Sequence, residues 1–180
     1  MNIIYMSTTY STQNNLLFNK LCIWYKDTNS FSKMLNIING SSTISLRIID
    51  WFTTNYSKKY FITYINSNNK RFNVYNDYKL QLKAYSKKRF DPFCRWDRIS
   101  VPYNNVEIMT TIGQLNFFKW AIENEIIEYI QNNIKDIESD MNNRNTKVIK
   151  NNTKKKREEL SISASKTIIK EHVKITLSFD

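Results

Sequence analysis

The stretch QLNFFKWAIENEIIEYIQNNIKDIESDMN, residues 114–142, decides the fold class, because its apolar side chains recur every three or four positions rather than every two. Leu115, Phe118, Ile122, Ile126, Ile130, Ile134, Ile137 and Met141 fall on one stripe, and a stripe of that period is the buried face of an amphipathic helix. The reading is one long helix, with Thr110 or Thr111 capping its start through a side-chain oxygen. Just before it the period changes to two. Residues 99–103 and 106–110 alternate apolar and polar about Asn104-Asn105, which predicts a β-hairpin whose Pro102 fits only an edge strand or a bulge. The expected class is therefore α+β.

Toward the N-terminus the same rules give shorter elements. Asn76 or Asp77 caps a helix through Tyr78, Leu82 and Tyr85, and Pro92 sets its latest end because it biases Asp91 away from helical geometry. FITYI (61–65) and RFNVY (71–75) read as a first hairpin across Asn66-Ser67-Asn68-Asn69. Residues 41–60 read as a helix central to the core, started by Ser42 or Thr43, with Leu46, Ile49, Phe52 and Tyr56 on one face. A short helix capped by Ser30 or Ser32 ends at Asn39-Gly40, and Leu16, Leu17, Leu21, Trp24 and Tyr25 suggest another before it. Residues 1–20 are assigned to a flexible arm and 21–142 to a single core domain. Beyond it, 143–159 is a polar, basic linker, and in 160–180 Val173, Ile175, Leu177 and Phe179 alternate with polar residues as a terminal strand.

At 180 residues with 41% apolar and 14% aromatic side chains, the chain can bury a real core and lies outside the composition of disordered proteins. Its 27 Lys and Arg against 16 Asp and Glu give a net charge of +11, which favours polyanionic partners such as nucleic acid or an anionic membrane surface. Two cysteines form no disulfide framework and a single His172 builds no zinc site, so a reducing, intracellular compartment is expected. No apolar run approaches the roughly 18 residues of a membrane span, and the first residues do not read as a signal peptide. With only Gly40 and Gly113, the glycine-rich loops that cradle phosphates are excluded. Heavy use of Asn, Ile, Lys and Tyr points to an AT-rich genome.

Charge is distributed unevenly. Between Lys58 and Arg98 eleven cations face three acids, a surplus of +8, whereas residues 114–142 carry two cations and six acids, −4. From Arg144 to Arg157 there are seven cations and no acid. Lys79, Lys83, Lys87 and Lys88 line one flank of their expected helix as a ladder for phosphates, a pattern equally shared by a solvated face. Lys154, Lys155, Lys156 and Arg157 offer a phosphate-contacting arm or a simple tether.

The segment YSKKRFDPFCRWDRI, residues 85–99, sets five cations among four aromatic rings. One reading has Phe90, Phe93 and Trp96 anchoring a turn while Arg89, Arg95 and Arg98 face outward as a rigid fork for phosphate or carboxylate. The competing reading is a structural turn whose arginines pair with Asp91 and Asp97. Nearby arginines would favour a Cys94 thiolate, but His172 lies beyond the linker, so no Cys/His nucleophilic pair is expected. No catalytic residue, metal or cofactor is assigned.

The phrases SLRIIDWFTTNYSKK (45–59), LKAYSKKRFDPFCR (82–95), TTIGQLNFFKWAIEN (110–124) and the terminal VKITLSFD resemble a small basic protein family of nucleocytoplasmic large DNA viruses, the mimivirus-like giant viruses. The resemblance covers most of residues 31–142 and the terminal strand. It implies a viral protein acting in the infected cell, in the cytoplasmic viral factory or the virion, and supplies no site residue. The expected function is non-enzymatic nucleic-acid binding in genome packaging or viral transcription, through Lys79, Lys83, Lys87, Lys88, Arg89, Arg95, Arg98 and residues 154–157. The alternative is a virion structural or assembly protein whose Val173, Ile175, Leu177 and Phe179 dock on a viral protein partner.

Overall fold

In the computed structural model, which describes residues 12–26, 28–67, 69–103 and 106–152, the elements run α1 (Thr12–Trp24), α2 (Thr28–Ile38), α3 (Leu46–Trp51), a π-helical turn (Phe52–Tyr56), α4 (Ser57–Lys59), β1 (Thr63–Ile65), β2 (Arg71–Asn73), α5 (Val74–Arg89), β3 (Arg98–Tyr103), β4 (Val106–Thr111), α6 (Ile112–Glu123), α7 (Ile126–Asn132) and α8 (Ile134–Asn152). The class is α+β: helices with two small antiparallel hairpins, β1–β2 and β3–β4. The chain divides into two units between Asn143 and Arg144, and the packing below is that of the first.

Helix α6 sits at the centre. Ile112, Leu115, Phe117, Phe118, Trp120 and Ala121 are buried on all of its sides, as a helix in the middle of a domain must be. Phe90 is wedged against Phe117 and Trp120, with ring centroids 5.2 and 5.3 Å away. Tyr25 donates to the Leu115 carbonyl at 2.8 Å, and burial, reinforced by the Glu123 charge, pushes its phenol well above the usual range. On the other flank Tyr64 of β1 stacks on Tyr129 of α7 at 5.3 Å and donates to the Asn124 carbonyl at 2.6 Å.

The single long helix expected over 114–142 is three helices. Glu125 takes left-handed backbone geometry (φ 58°, ψ 25°), and the Asn124 side-chain amide donates to the Trp120 carbonyl at 2.9 Å. Asn133 repeats the device on the Tyr129 carbonyl, also at 2.9 Å. Short amide side chains compete for helix carbonyls in this way and so end helices. The apolar stripe survives because Ile126, Ile130, Ile137 and Met141 remain buried.

Other boundaries also move. Helix α1 begins at Thr12, inside the stretch expected as an arm, and α2 begins at Thr28, so Ser30 and Ser32 lie within it. Its end is as expected: Gly40 at φ 75° closes it, with Ser41 N–H bonded to the Asn36 carbonyl and Gly40 N–H to that of Ile37, the paired 6→1 and 5→2 bonds of a Schellman ending. Ser45, not Ser42 or Thr43, caps α3 by accepting from Ile48 N–H at 3.3 Å. The helix then widens into the π turn, where hydroxyls of Thr53, Thr54 and Ser57 donate to the carbonyls of Ile49, Asp50 and Thr53. Asn73 caps α5, accepting from Asn76 N–H at 2.9 Å, so the helix takes over Val74 and Tyr75 from the expected second strand. Phe61 is excluded from β1 because its φ is 51°.

Asp140 of α8 ties this helix to α3 and α4. Burial pushes its carboxyl up, but hydrogen bonds from Lys59, Trp51 and Tyr60 outweigh that and hold it below the usual carboxylate range. The segment expected as a linker from residue 143 is helical as far as Asn152. The remainder of that linker, with Lys154, Lys155, Lys156 and Arg157, and the expected terminal strand with Val173, Ile175, Leu177 and Phe179, lie outside the described residues.

Candidate nucleic-acid interface

Helix α5 and the turn after it carry the basic residues singled out by sequence, and their local geometry sorts them into two groups. Lys79 and Lys83 are exposed one turn apart, on a helix rising about 6 Å over four residues. The ladder does not continue at helical spacing, because Ser86 is non-helical (φ 59°, ψ 166°) and kinks α5. Lys87 and Lys88 are exposed beyond that kink.

The kink brings residues 88–90 against the start of α6. A Cβ on Gly113 would stand 2.9 Å from the Lys88 carbonyl oxygen and 3.3 Å from the Phe90 nitrogen, so only glycine lets the two segments approach this closely. Buried amides complete the joint. Asn116 donates to the Arg89 carbonyl at 3.0 Å, and Gln114 donates to the Pro92 carbonyl at 2.9 Å while accepting from the Thr110 hydroxyl. Each satisfies a backbone carbonyl that would otherwise be lost from water.

Within the turn, Asp91 is 1% exposed and takes two parallel hydrogen bonds from Arg95, both 2.9 Å. The same guanidinium lies over the Phe93 ring, 4.6 Å from its centroid. Arg95 is thus a clamp on a buried carboxylate rather than one tine of an outward fork. Removing it would leave a buried charge uncompensated, a loss of about 3–5 kcal/mol reduced in proportion to the 52% exposure of the Arg95 side chain. Lys88 pairs with Asp97 at 2.8 Å, and Arg89 donates to Gln13 of α1 at 3.3 Å. Arg98 is exposed at the start of β3. The structural-turn reading therefore holds for Arg95 with Asp91, whereas Asp97 pairs with Lys88 rather than with an arginine, and Lys79, Lys83 and Lys87 hold no ion pair among the described residues.

Trp96 corrects a further expectation. Phe90 is buried as an anchor, but Trp96 is 42% exposed. It lines a shallow cleft with Asn14 of α1, Lys88, Arg89, Asp97 and Thr111. Asn14 and Trp96 are absent from the sequence-derived site, and the signal for the tryptophan was its place among Arg95, Asp97 and Arg98, a poor setting for a core anchor. Among the described residues no group of three His, Cys, Asp or Glu is arranged to hold a metal ion, and no helix is long and apolar enough to cross a membrane.

Comparison with known proteins adds lineage. The pattern of a family of unknown function, DUF7197, matches residues 4–180. The chain is similar to the uncharacterized protein L507 of Acanthamoeba polyphaga mimivirus, with 43% identity over 181 residues, covering 91% of this chain and 67% of that protein. The giant-virus resemblance carried by the quoted phrases stands on these matches. No solved structure matches.

Proposed function

We propose that this chain, which belongs to the DUF7197 family of giant-virus proteins, binds nucleic acid through the phosphate backbone with little sequence preference and without catalysing a reaction, in genome packaging or viral transcription. One observation carries the reading. All three acids between Lys58 and Arg98 are engaged: Asp77 accepts from Trp120 at 2.6 Å, Asp91 is clamped by Arg95, and Asp97 pairs with Lys88. The exposed cations Lys79, Lys83 and Lys87 hold no ion pair among the described residues, although Lys87 lies within Coulombic reach of the half-buried Asp50, and a row of that kind attracts a polyanion. Lys88, Arg89 and Arg98 extend the basic surface beyond the kink.

The test is fluorescence-anisotropy binding to random-sequence DNA and RNA across a salt series. If six to ten phosphates are contacted, affinity falls by roughly three to five orders of magnitude between 50 and 200 mM salt. The triple variant K79Q/K83Q/K87Q lowers the slope of log affinity against log salt by about three, one for each lost phosphate contact. Arg95 is left intact because its substitution would act through Asp91. Salt-independent binding, or an unchanged slope in the variant, overturns the reading and returns the chain to the alternative of a structural or assembly protein of the virion.

A further inference from the structure

The outer face of the β1–β2 hairpin is both apolar and basic, and neither the core nor the proposed phosphate surface uses it. The register pairs Thr63 with Asn73 and Ile65 with Arg71, and residues directly opposite in an antiparallel pair share a face. Tyr64 and Phe72 turn the other way and pack with the core, so Thr63, Ile65, Arg71 and Asn73 stand outward. Ile65 is 70% exposed, and Phe61, two residues before Thr63, is 80% exposed. The φ of Phe61 is 51°, left-handed geometry that suits glycine and is an outlier for a bulky side chain. Stability does not explain a phenylalanine at this position, since glycine would relieve the backbone and the ring buries little in exchange.

The surroundings are cationic. Residues 58–76 hold Lys58, Lys59, Lys70 and Arg71 and no acid. Lys58 lies over the Tyr75 ring, 5.6 Å from its centroid, and Lys70 and Arg71 hold no ion pair among the described residues. Of the acids on other elements, Asp140 accepts from Lys59 and Tyr60, and Glu125 accepts from the Ser67 N–H at 3.3 Å. We propose that this face docks on an anionic lipid surface. Phe61 and Ile65 enter the boundary between headgroups and acyl chains, the half-exposed Tyr60 ring lies at headgroup level, and Lys58, Lys70 and Arg71 meet the anionic headgroups. Charge makes the partner anionic, and Ile65 makes it a lipid: a nucleic acid can stack a base on Phe61 but gains nothing from an exposed aliphatic side chain. The inference stands apart from the proposed function, because it uses none of Lys79, Lys83 and Lys87.

The experiment sediments the full chain with vesicles of phosphatidylcholine alone and of phosphatidylcholine mixed with phosphatidylserine, beside Phe61→Gly, Ile65→Thr and the double variant K70Q/R71Q. The wild type sediments with the mixed vesicles and not with the neutral ones. Phe61→Gly and Ile65→Thr each weaken binding to mixed vesicles about tenfold. Phe61→Gly melts no lower than wild type because it sheds backbone strain, a combination that a purely structural phenylalanine would not give. The double variant loses on the order of twentyfold, about fivefold for each cation. No sedimentation with mixed vesicles, equal sedimentation with both kinds, or apolar variants that sediment as wild type would overturn the inference. So would apolar variants that bind single-stranded nucleic acid more weakly, which would make Phe61 a base platform, or that lower the native mass, which would make the face a contact between protein chains.

Discussion

The charges of Arg95 and Asp91 both act on the Asp50 carboxyl. Arg95 satisfies the buried Asp91 with both of its parallel hydrogen bonds, and Asp50 is left half-buried nearby with its carboxyl pushed up. Burial is the main cause, the Arg95 charge opposes it, the Asp91 charge adds to it, and Lys87 opposes it weakly. A carboxyl whose folded value lies above its unfolded value of about 3.9 favours the folded state only while protonated. That contribution is present below the unfolded value and is lost as pH rises through the folded one. Ionised Asp50 is therefore a standing cost at neutral pH. Asp50→Asn is expected to melt higher than wild type at pH 7, with the difference shrinking to nothing as the pH is lowered toward 4. Thermal melts of both proteins from pH 4 to 8 measure this, and a variant that melts lower at pH 7 would show that Asp50 is a needed partner of Arg95. Sequence alone paired both turn aspartates with the local arginines, but it gave no sign that Asp50, some forty residues earlier, lies within reach of the same charges.

At the scale of elements, periodicity revealed which segments are helical but not where they stop. The stripe Ile122, Ile126, Ile130, Ile134, Ile137 runs through two breaks without a missed beat, because the helices on either side bury the same face. What ends them is local: an Asn amide on a carbonyl at 124 and again at 133, and a left-handed Glu125. Asn-rich steps were visible there, yet an apolar count gives them no weight. The hairpin over 98–111 was legible because its alternation, its Asn-Asn turn and its edge proline agreed, whereas the first hairpin lost two residues to a helix cap at Asn73. The kink in α5 had no sequence signal, since Ser86 is not a residue expected at φ 59°, ψ 166°, a region that belongs essentially to glycine. The strain is held because residues 88–90 must pass over Gly113. Ser86→Gly removes a conformational cost of about 1–3 kcal/mol and adds back up to about 1 kcal/mol of unfolded-state entropy, so a net gain of roughly 1 kcal/mol is expected. Equilibrium urea unfolding reads it as a higher midpoint at constant slope; a lower midpoint would mean that the serine is held there by an interaction worth more than the strain.

Across the whole molecule the charge is polarised, and the polarisation ties stability to binding. The basic segment 58–98 carries a surplus of +8, with Asp77 and Asp91 drawn into the joint between α5, the turn and α6 and Asp97 exposed beside Lys88, while six of the remaining acids lie along residues 114–142. Confined like charge opposes the compact state. Lys79 and Lys83, four residues apart on one helix, repel each other by about 0.2–0.5 kcal/mol when unscreened, and the surrounding cations add to this. Salt screens such terms over about 10 Å at 0.1 M, so Tm should climb as salt rises from low concentration to 150 mM. The triple variant K79Q/K83Q/K87Q should melt about 1–2 °C higher than wild type at low salt, taking roughly 2–4 °C per kcal/mol for a chain of this size, and should show a flatter salt curve. The same substitutions are expected to weaken polyanion binding, so stability and affinity move in opposite directions. A variant that melts lower than wild type at low salt would mean that these lysines stabilise the fold through contacts of their own, and its weaker binding would then report a damaged protein rather than a lost phosphate surface.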